Sequence, residues 1–371
     1  MAESAAHERA EHDTPREPLD VRGAMARALD DARVDRALDD VERTMRALGD
    51  GERRDPLGSI VGSHLSTGGK RIRARLALHA HAALAGEPAD AVHWAAACEL
   101  LHNATLIHDD IQDGDRVRRG QPAVWAEHGV AQAINAGDLM LMLPFLAVTS
   151  SGARAEVKAH LTDALARHAI STVRGQAIEL SLLSRAKDSD VRRAFHDGIV
   201  GKTSALFVLP VEGAALLAGR TVEQARALSE PFANLGVLFQ LQDDVLDLYG
   251  EKGRGARGAD LKEGKVSSLV VEHLALRPDE ASWLLGVLEA PRDETRDEDV
   301  ARAIEAFRQS GALARVLSSI REHERALVEC RALADVPVLH ALARGFLSLV
   351  LAPIAHVLDD DAPRAPIAAR A

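Results

Sequence analysis

The chain has 371 residues, is 47% apolar and carries a net charge of −11. It can bury a substantial core, and it has no basic stripe to neutralise phosphates, which excludes general nucleic-acid binding. Its two cysteines, Cys98 and Cys330, lie far apart without CxxC spacing; this argues against a disulfide framework or zinc site and fits a reducing cytoplasm.

Residues 1–20 are charged, hold Pro15 and Pro18 and lack an apolar core segment, so they read as a disordered tail and not as a signal peptide. From 21 to 358 apolar residues recur at three- and four-residue intervals. Aromatics are 3% and alternating β-branched runs are scarce, so the prediction is one all-α domain of ten or more helices. Residues 359–371 read as a second tail.

Gly68-Gly69 precedes Lys70, Arg71, Arg73 and Arg75 at a helix start, a natural anion site. Pro88 suits the opening of the next helix and Gly114 its end. On that helix His102, Leu106, Asp109 and Asp113 are spaced by four, three and four, which puts them on one face. The fragment HDDIQDGDRVRRGQP follows, with Arg118 and Arg119 just past the acids. Lys202-Thr203 comes after Gly201, and FQLQDDVLDLYG repeats the Asp-Asp-x-x-Asp spacing at Asp243, Asp244 and Asp247. A Gly/Arg-rich segment, GRGARG at 253–258, separates these from Lys265 in EGKVSS. The apolar stretch FLSLVLAPIAHVL at 346–358 is interrupted by Pro353 and reads as too short to span a bilayer, so no stable membrane insertion is expected.

Both acidic clusters fall near C-terminal ends of helices, where the macrodipole is already negative and like charges four apart repel. Half-buried carboxylates without partners must take up protons or bind cations. A hard divalent ion resolves the repulsion; Mg²⁺ takes one or two carboxylates and completes its shell with substrate phosphates. Two facing Asp-rich helices would thus grip a diphosphate, and the nearby arginines would take the remaining oxygens.

The ordered set GGKRIR, HNATLIHDDIQD, RRGQP, NAGDLML, GKTSAL, FQLQDDVLD and GADLKEGK resembles the trans-isoprenyl diphosphate synthase (polyprenyl synthetase) family, of geranylgeranyl or polyprenyl type, from about residue 65 to 270. The resemblance implies a single large helical bundle around a central elongated cavity, normally a cytoplasmic homodimer. It implies a prenyltransferase that joins isopentenyl diphosphate to an allylic diphosphate of C5–C15. By the same resemblance, Mg²⁺ ions, three per active site, are held by Asp109, Asp110, Asp113, Asp243, Asp244 and Asp247. Lys70, Arg73, His102 and Arg119 would hold isopentenyl diphosphate. Arg118, Lys202 and Lys265 would contact the allylic diphosphate, and Thr203 and Gln240 would turn oxygens toward the allylic cation.

In this family bulky residues four and five positions before the first cluster floor the cavity. Here these are the small Ala104 and Thr105, so a product of C20 or longer is expected, with Leu101, Met140 and Phe145 as alternative floors. The chain departs from the family at VSSLV after Lys265 and at Gln112, which falls off the Asp109 face and is expected to be without catalytic effect; Lys252 has no assignable counterpart. The competing readings are a class I terpene cyclase, which would carry a different second motif and more aromatics, and a non-catalytic partner subunit, which would lose its Asp-rich motifs.

Overall fold

The computed structural model describes residues 31–50, 55–250 and 257–360. The predicted 1–20 tail, Lys252 and most of the Gly/Arg-rich segment lie outside the described residues, as do residues 361–371. The all-α expectation holds. Strand structure among the described residues is one hairpin, Val117–Arg118 paired with Gln121–Pro122. The helices of eight or more residues are α1 (Ala32–Gly49), α2 (Pro56–Ser66), α3 (Ile72–Ala83), α4 (Val92–Gln112), α5 (Val130–Ser150) and α6 (Ala155–Ser181). Next come α7 (Val191–Ile199), α8 (Ala205–Leu217), α9 (Val222–Ser229), α10 (Ala233–Tyr249), α11 (Ser268–Leu276) and α12 (Ala281–Glu289). The last are α13 (Asp297–Gln309), α14 (Ala312–Val328) and α15 (Pro337–Leu351), with a terminal turn of helix Ala355–Asp360.

Helix α4 is the axis of the bundle. It is rich in alanine, packs extensively along α5, and is flanked by α1, α3 and α8. Small side chains let the backbones approach closely, and Ala95, Ala96, Ala97, Cys98, Leu100 and Ala104 are fully buried. Pro88 opens a short 3-10 turn, Pro88–Ala91, that leads into α4. Gly114, at φ 70°, turns the chain just past the helix end, as the sequence predicts.

Helices α7 and α8 are continuous through one wide π turn, Val200–Ser204. A π turn displaces a residue outward from the regular ladder, a device common at functional sites. This one is seated between two glycines. A methyl group on Gly175 of α6 would collide with the backbone nitrogen of Lys202, and one on Gly236 of α10 would collide with the backbone of Ser204. Eight residues past the turn, Glu212 of α8 is buried and accepts hydrogen bonds from Arg167 Nη2 at 2.6 Å and His168 Nε2 at 2.7 Å, both on α6. The segment carrying Lys202 and Thr203 is thus fixed to α6 by close backbone contact at one end and by a buried carboxylate at the other.

One expectation is corrected. Three helical runs, Val130–Ser150, Val191–Leu217 and Pro337–Asp359, are long and apolar enough to cross a membrane by length and composition. The 346–358 stretch is part of the third. Pro353 does not end it, because it sits in the first positions of a 3-10 turn, where its missing N–H is not needed. The helical structure also runs to Asp360, two residues past the predicted domain end.

Two stability outcomes follow from this packing. Gly175→Ala should destabilise the fold by about 1–3 kcal/mol through overpacking, whereas Gly62→Ala, whose added methyl meets nothing within 4 Å, should be neutral or slightly stabilising. Urea denaturation of both variants checks this. For Glu212, burial pushes the carboxyl up, but His168 and Arg167 outweigh burial and hold it at about 2, against 4.5 for an ordinary glutamate. Its folded-state pKa is depressed, so its contribution is complete above about 4.5 and is lost as pH falls toward 2. Glu212→Gln should cost about 1–3 kcal/mol at pH 7, and the deficit relative to wild type should shrink in denaturation curves taken at progressively lower pH.

Candidate active site

The C-terminal ends of α4 and α10 face each other across one cleft of about 400 Å³. Asp109, Gln112, Asp113, Asp115 and Arg118 line it from the α4 side, Gln240, Asp243 and Asp244 from α10, and Glu179 and Lys202 from α6 and the π turn. Asp260, Glu263 and Lys265, in the segment between α10 and α11, complete the rim. A groove of about 700 Å³ between residues 186–192 and 274–282 is larger but gathers no comparable set of acids.

Two lysines answer the crowded carboxylates. Lys202 Nζ lies 2.9 Å from Glu179 Oε1 and 3.8 Å from Asp109 Oδ2. Lys265 Nζ lies 3.0 Å from Asp113 Oδ2, 2.9 Å from Glu263 Oε2 and 3.9 Å from Asp260 Oδ1. Burial opposes the Lys265 charge, but these acids outweigh it and hold the ammonium form. Burial pushes Asp109 up to about 6 against the pull of Lys202. Asp244 and Asp247 are likewise pushed by burial to about 6, and Asp260 is raised by burial and by Asp247 and Asp244.

The six predicted metal ligands differ in what their oxygens do. Asp109, Asp113 and Asp243 line the cleft. Asp110 is buried and accepts from Arg118 Nε at 2.7 Å. Asp244 accepts from Gln240 Nε2 at 2.9 Å and from the Ser268 amide at 2.7 Å, and Asp247 accepts from the amides of Ala259 and Asp260. Among the described residues no three His, Cys, Asp or Glu side chains converge enough to hold an ion unaided; Lys202 and Lys265 stand among the acids instead. The donor set nevertheless suits a hard cation, because it is all oxygen and its desolvated carboxylates gain by meeting positive charge.

A second, basic zone adjoins the first. Gly68 and Gly69 have φ of 75° and 136°, and Arg71, capping α3, is left-handed at φ 49°. The Arg71 side chain is buried and held by Glu42 and by the Leu65 carbonyl, 2.9 Å from Nη2. Lys70 points outward and Arg73 inward. Arg73 Nη1 donates to His102 Nε2 at 3.1 Å. Arg has no acceptor, so the His102 proton sits on Nδ1. Burial first, then Arg73 and Arg119, drives the His102 pKa well down, so the ring is neutral.

The hairpin turn Arg119-Gly120 has positive φ at both residues, 53° and 78°, a type I′ geometry. It sends consecutive arginines to different zones. Arg118 meets Asp110 at the cleft, whereas Arg119 donates to the Gly68 carbonyl and covers Gly69, where a Cβ would lie 2.7 Å from its Cζ.

Some expectations are adjusted. Gln112 borders the cleft, because its long side chain crosses to accept from Gln176 Nε2 at 2.7 Å. Of the two predicted floor residues, Ala104 is fully buried and Thr105 half-buried, and the cleft's own lining from that turn is Leu106. Sequence reasoning passed over Glu99, Glu179, Asp260 and Glu263. Glu99 is buried three residues before His102, and accepts from the Ala74 amide at 3.2 Å. That i, i+3 spacing was a usable signal, as was the GADLKEGK fragment for Asp260 and Glu263; for Glu179 nothing local stood out.

The polyprenyl synthetase family model matches residues 55–307. A short chain isoprenyl diphosphate synthase of Methanothermobacter thermautotrophicus is 33% identical over 283 residues, which cover 74% of this chain and 85% of that protein. A geranylgeranyl diphosphate synthase of Mycobacterium tuberculosis is 32% identical over 278 residues, 70% of this chain and 76% of that one. The crystal structure of a polyprenyl synthetase from Streptomyces coelicolor A3(2) matches with a TM-score of 0.77 at 26% identity, covering 85% of this chain and 98% of that one. With one family model spanning more than half of its length and relatives matched over most of theirs, the chain belongs to the polyprenyl synthetase family and is a prenyltransferase.

Proposed function

We propose that the chain condenses isopentenyl diphosphate head to tail with an allylic diphosphate of C5–C15, releasing diphosphate and forming an all-trans prenyl diphosphate of C20 or longer. The family is magnesium-dependent and uses isopentenyl and allylic diphosphates. The observation that carries the reading is the facing of Asp109 and Asp113 with Asp243 across a cleft that also holds Lys202, Lys265 and Arg118. Asp109, Asp113 and Asp243 would hold Mg²⁺, three ions per site, with Asp110, Asp244 and Asp247 in support; bound magnesium supplies positive charge to the departing diphosphate.

The chain's own residues do the rest. Lys202 and Lys265 exchange Asp109 and Asp113 for oxygens of the allylic diphosphate, joined by Arg118. Gln240 is oriented by its hydrogen bond to Asp244, and its Oε1 lies 3.5 Å from Thr203 Oγ1. Both oxygens are set to face positive charge that develops only as the allylic C–O bond breaks. Lys70, Arg73, Arg119 and the neutral His102 hold isopentenyl diphosphate, whose double bond attacks the cation before a proton is lost.

Ala104 and Thr105 are small where a bulky pair would stop a shorter chain, and the Mycobacterium relative is named as a geranylgeranyl diphosphate synthase. A homodimer would account for exposed apolar side chains on adjoining helices, Ile134, Met142 and Leu146 on α5 and Ile170 and Val173 on α6. A cytoplasmic location fits the two free cysteines.

Purified protein incubated with Mg²⁺, isopentenyl diphosphate and each of the C5, C10 and C15 allylic diphosphates should give products of C20 or more, sized by mass after dephosphorylation. A stop at C15 would move the floor to other residues, and no elongation from any starter would sink the reading. Thr105→Phe should shorten the main product to about C15, since the ring would fill the cavity roughly 6 Å below Asp109 at 1.5 Å per residue.

A further inference from the structure

Arg292 lies outside every motif discussed so far. It follows α12 on a tight turn, in which the amides of Glu294 and Thr295 both donate to the Pro291 carbonyl. Its Nη1 is 3.1 Å from Asp115 Oδ1 and its Nη2 is 2.8 Å from Glu263 Oε1. One guanidinium therefore joins the segment after the first Asp-rich helix to the segment that carries Lys265. The backbone also holds the Lys265 segment against the helix that Arg292 follows: Gly264, at φ 73°, packs so tightly that an added Cβ would lie 2.6 Å from the Leu288 carbonyl of α12.

The contacts form a chain of alternating charge along the rim: Asp113, Lys265, Glu263, Arg292, Asp115, Arg118, Asp110. It begins and ends at the C-terminal end of α4. The Glu263 carboxylate is only 8% exposed, and its second oxygen is 2.9 Å from Lys265 Nζ. Without Arg292, that buried carboxylate would draw on Lys265 alone, while Asp113 and Asp260 compete for the same ammonium. Arg292 itself is half exposed and does not line the cleft, so it has no contact with a bound substrate to offer.

We infer that Arg292 is a positioning residue. It straps the Lys265 segment to the end of α4 and satisfies Glu263, which leaves Lys265 placed and available for the allylic diphosphate. The inference rests on reading the cleft as a diphosphate site. Preorganising a charged group in this way acts on binding and orientation more than on bond breaking.

The test compares full-length Arg292→Gln, Glu263→Gln, the double variant, Arg292→Lys and, as a control four residues on, Arg296→Gln, whose ion pairs among the described residues are with Glu298 and Asp299. Arg292→Gln should raise KM for the allylic diphosphate, and weaken calorimetric binding of inorganic pyrophosphate with Mg²⁺, by about tenfold, the scale of two partly exposed ion pairs, with kcat nearly unchanged. Glu263→Gln also breaks the strap but removes the carboxylate that competes for Lys265, so its loss of binding should be smaller, and the double variant should be no worse than Arg292→Gln. Arg292→Lys should recover part of the loss, since an ammonium keeps the charge but not the fork. In protein without metal, amides across 259–265 should exchange faster in Arg292→Gln than in wild type or Arg296→Gln. Wild-type pyrophosphate binding by Arg292→Gln, additive losses in the double variant, or unchanged exchange across 259–265 would each overturn the strap. If wild type neither elongates nor binds pyrophosphate, the proposed function falls, while the exchange comparison still decides whether the strap exists.

Discussion

Negative charge gathered at the negative ends of two helices is the condition on which the rest of this molecule depends. The last turns of α4 and α10 expose unsatisfied carbonyls, and the carboxylates beside them add to the same field. A soluble surface would spread such groups apart. Here burial holds them together and raises Asp109, Asp244 and Asp247 to about 6. The fold accommodates this by bringing Lys202, Lys265 and Arg118 in from three separate segments. In the proposed function each of those cations would be both a structural counter-charge and a group that meets phosphate.

That double duty explains where the packing is tightest. The π turn is seated by Gly175 and Gly236, so Lys202 and Thr203 project from a fixed backbone. The buried Glu212 secures the next part of the same helix to α6. On the opposite side, the hairpin uses one turn to divide two neighbouring arginines between two zones. Rigid elements thus surround a site whose charges would change partners in the proposed reaction, which is what preorganisation requires.

Much of this was legible in the sequence. The helical class followed from the missing β-branched alternation, and the bounds of α4 from Pro88 and Gly114. The two Asp-x-x-x-Asp spacings gave the facing helix ends, since a period of 3.6 puts them on one side. What the sequence hid is contact between distant segments. Nothing near Arg292 indicates that it meets Asp115 and Glu263, and nothing near Glu179 that it meets Lys202. Gln112 was misjudged because helical phase describes where Cβ points and not how far a long amide reaches. The apolar run at 337–359 was cut short by treating Pro353 as a break, when its position in a turn decides the matter.

Arg71 and Arg119 share an unusual demand. Both hold their charge on a left-handed backbone, a conformation costly for a residue with a Cβ and easy for glycine. Glycine at either place would relax the chain and delete a cation from the basic zone. The local preference of the backbone and the chemistry of the zone are frustrated with respect to each other at these two positions. At Arg119, stability and the proposed substrate contact would accordingly pull one codon in opposite directions, whereas at Arg71 the pairing with Glu42 and the Leu65 carbonyl offsets the backbone cost.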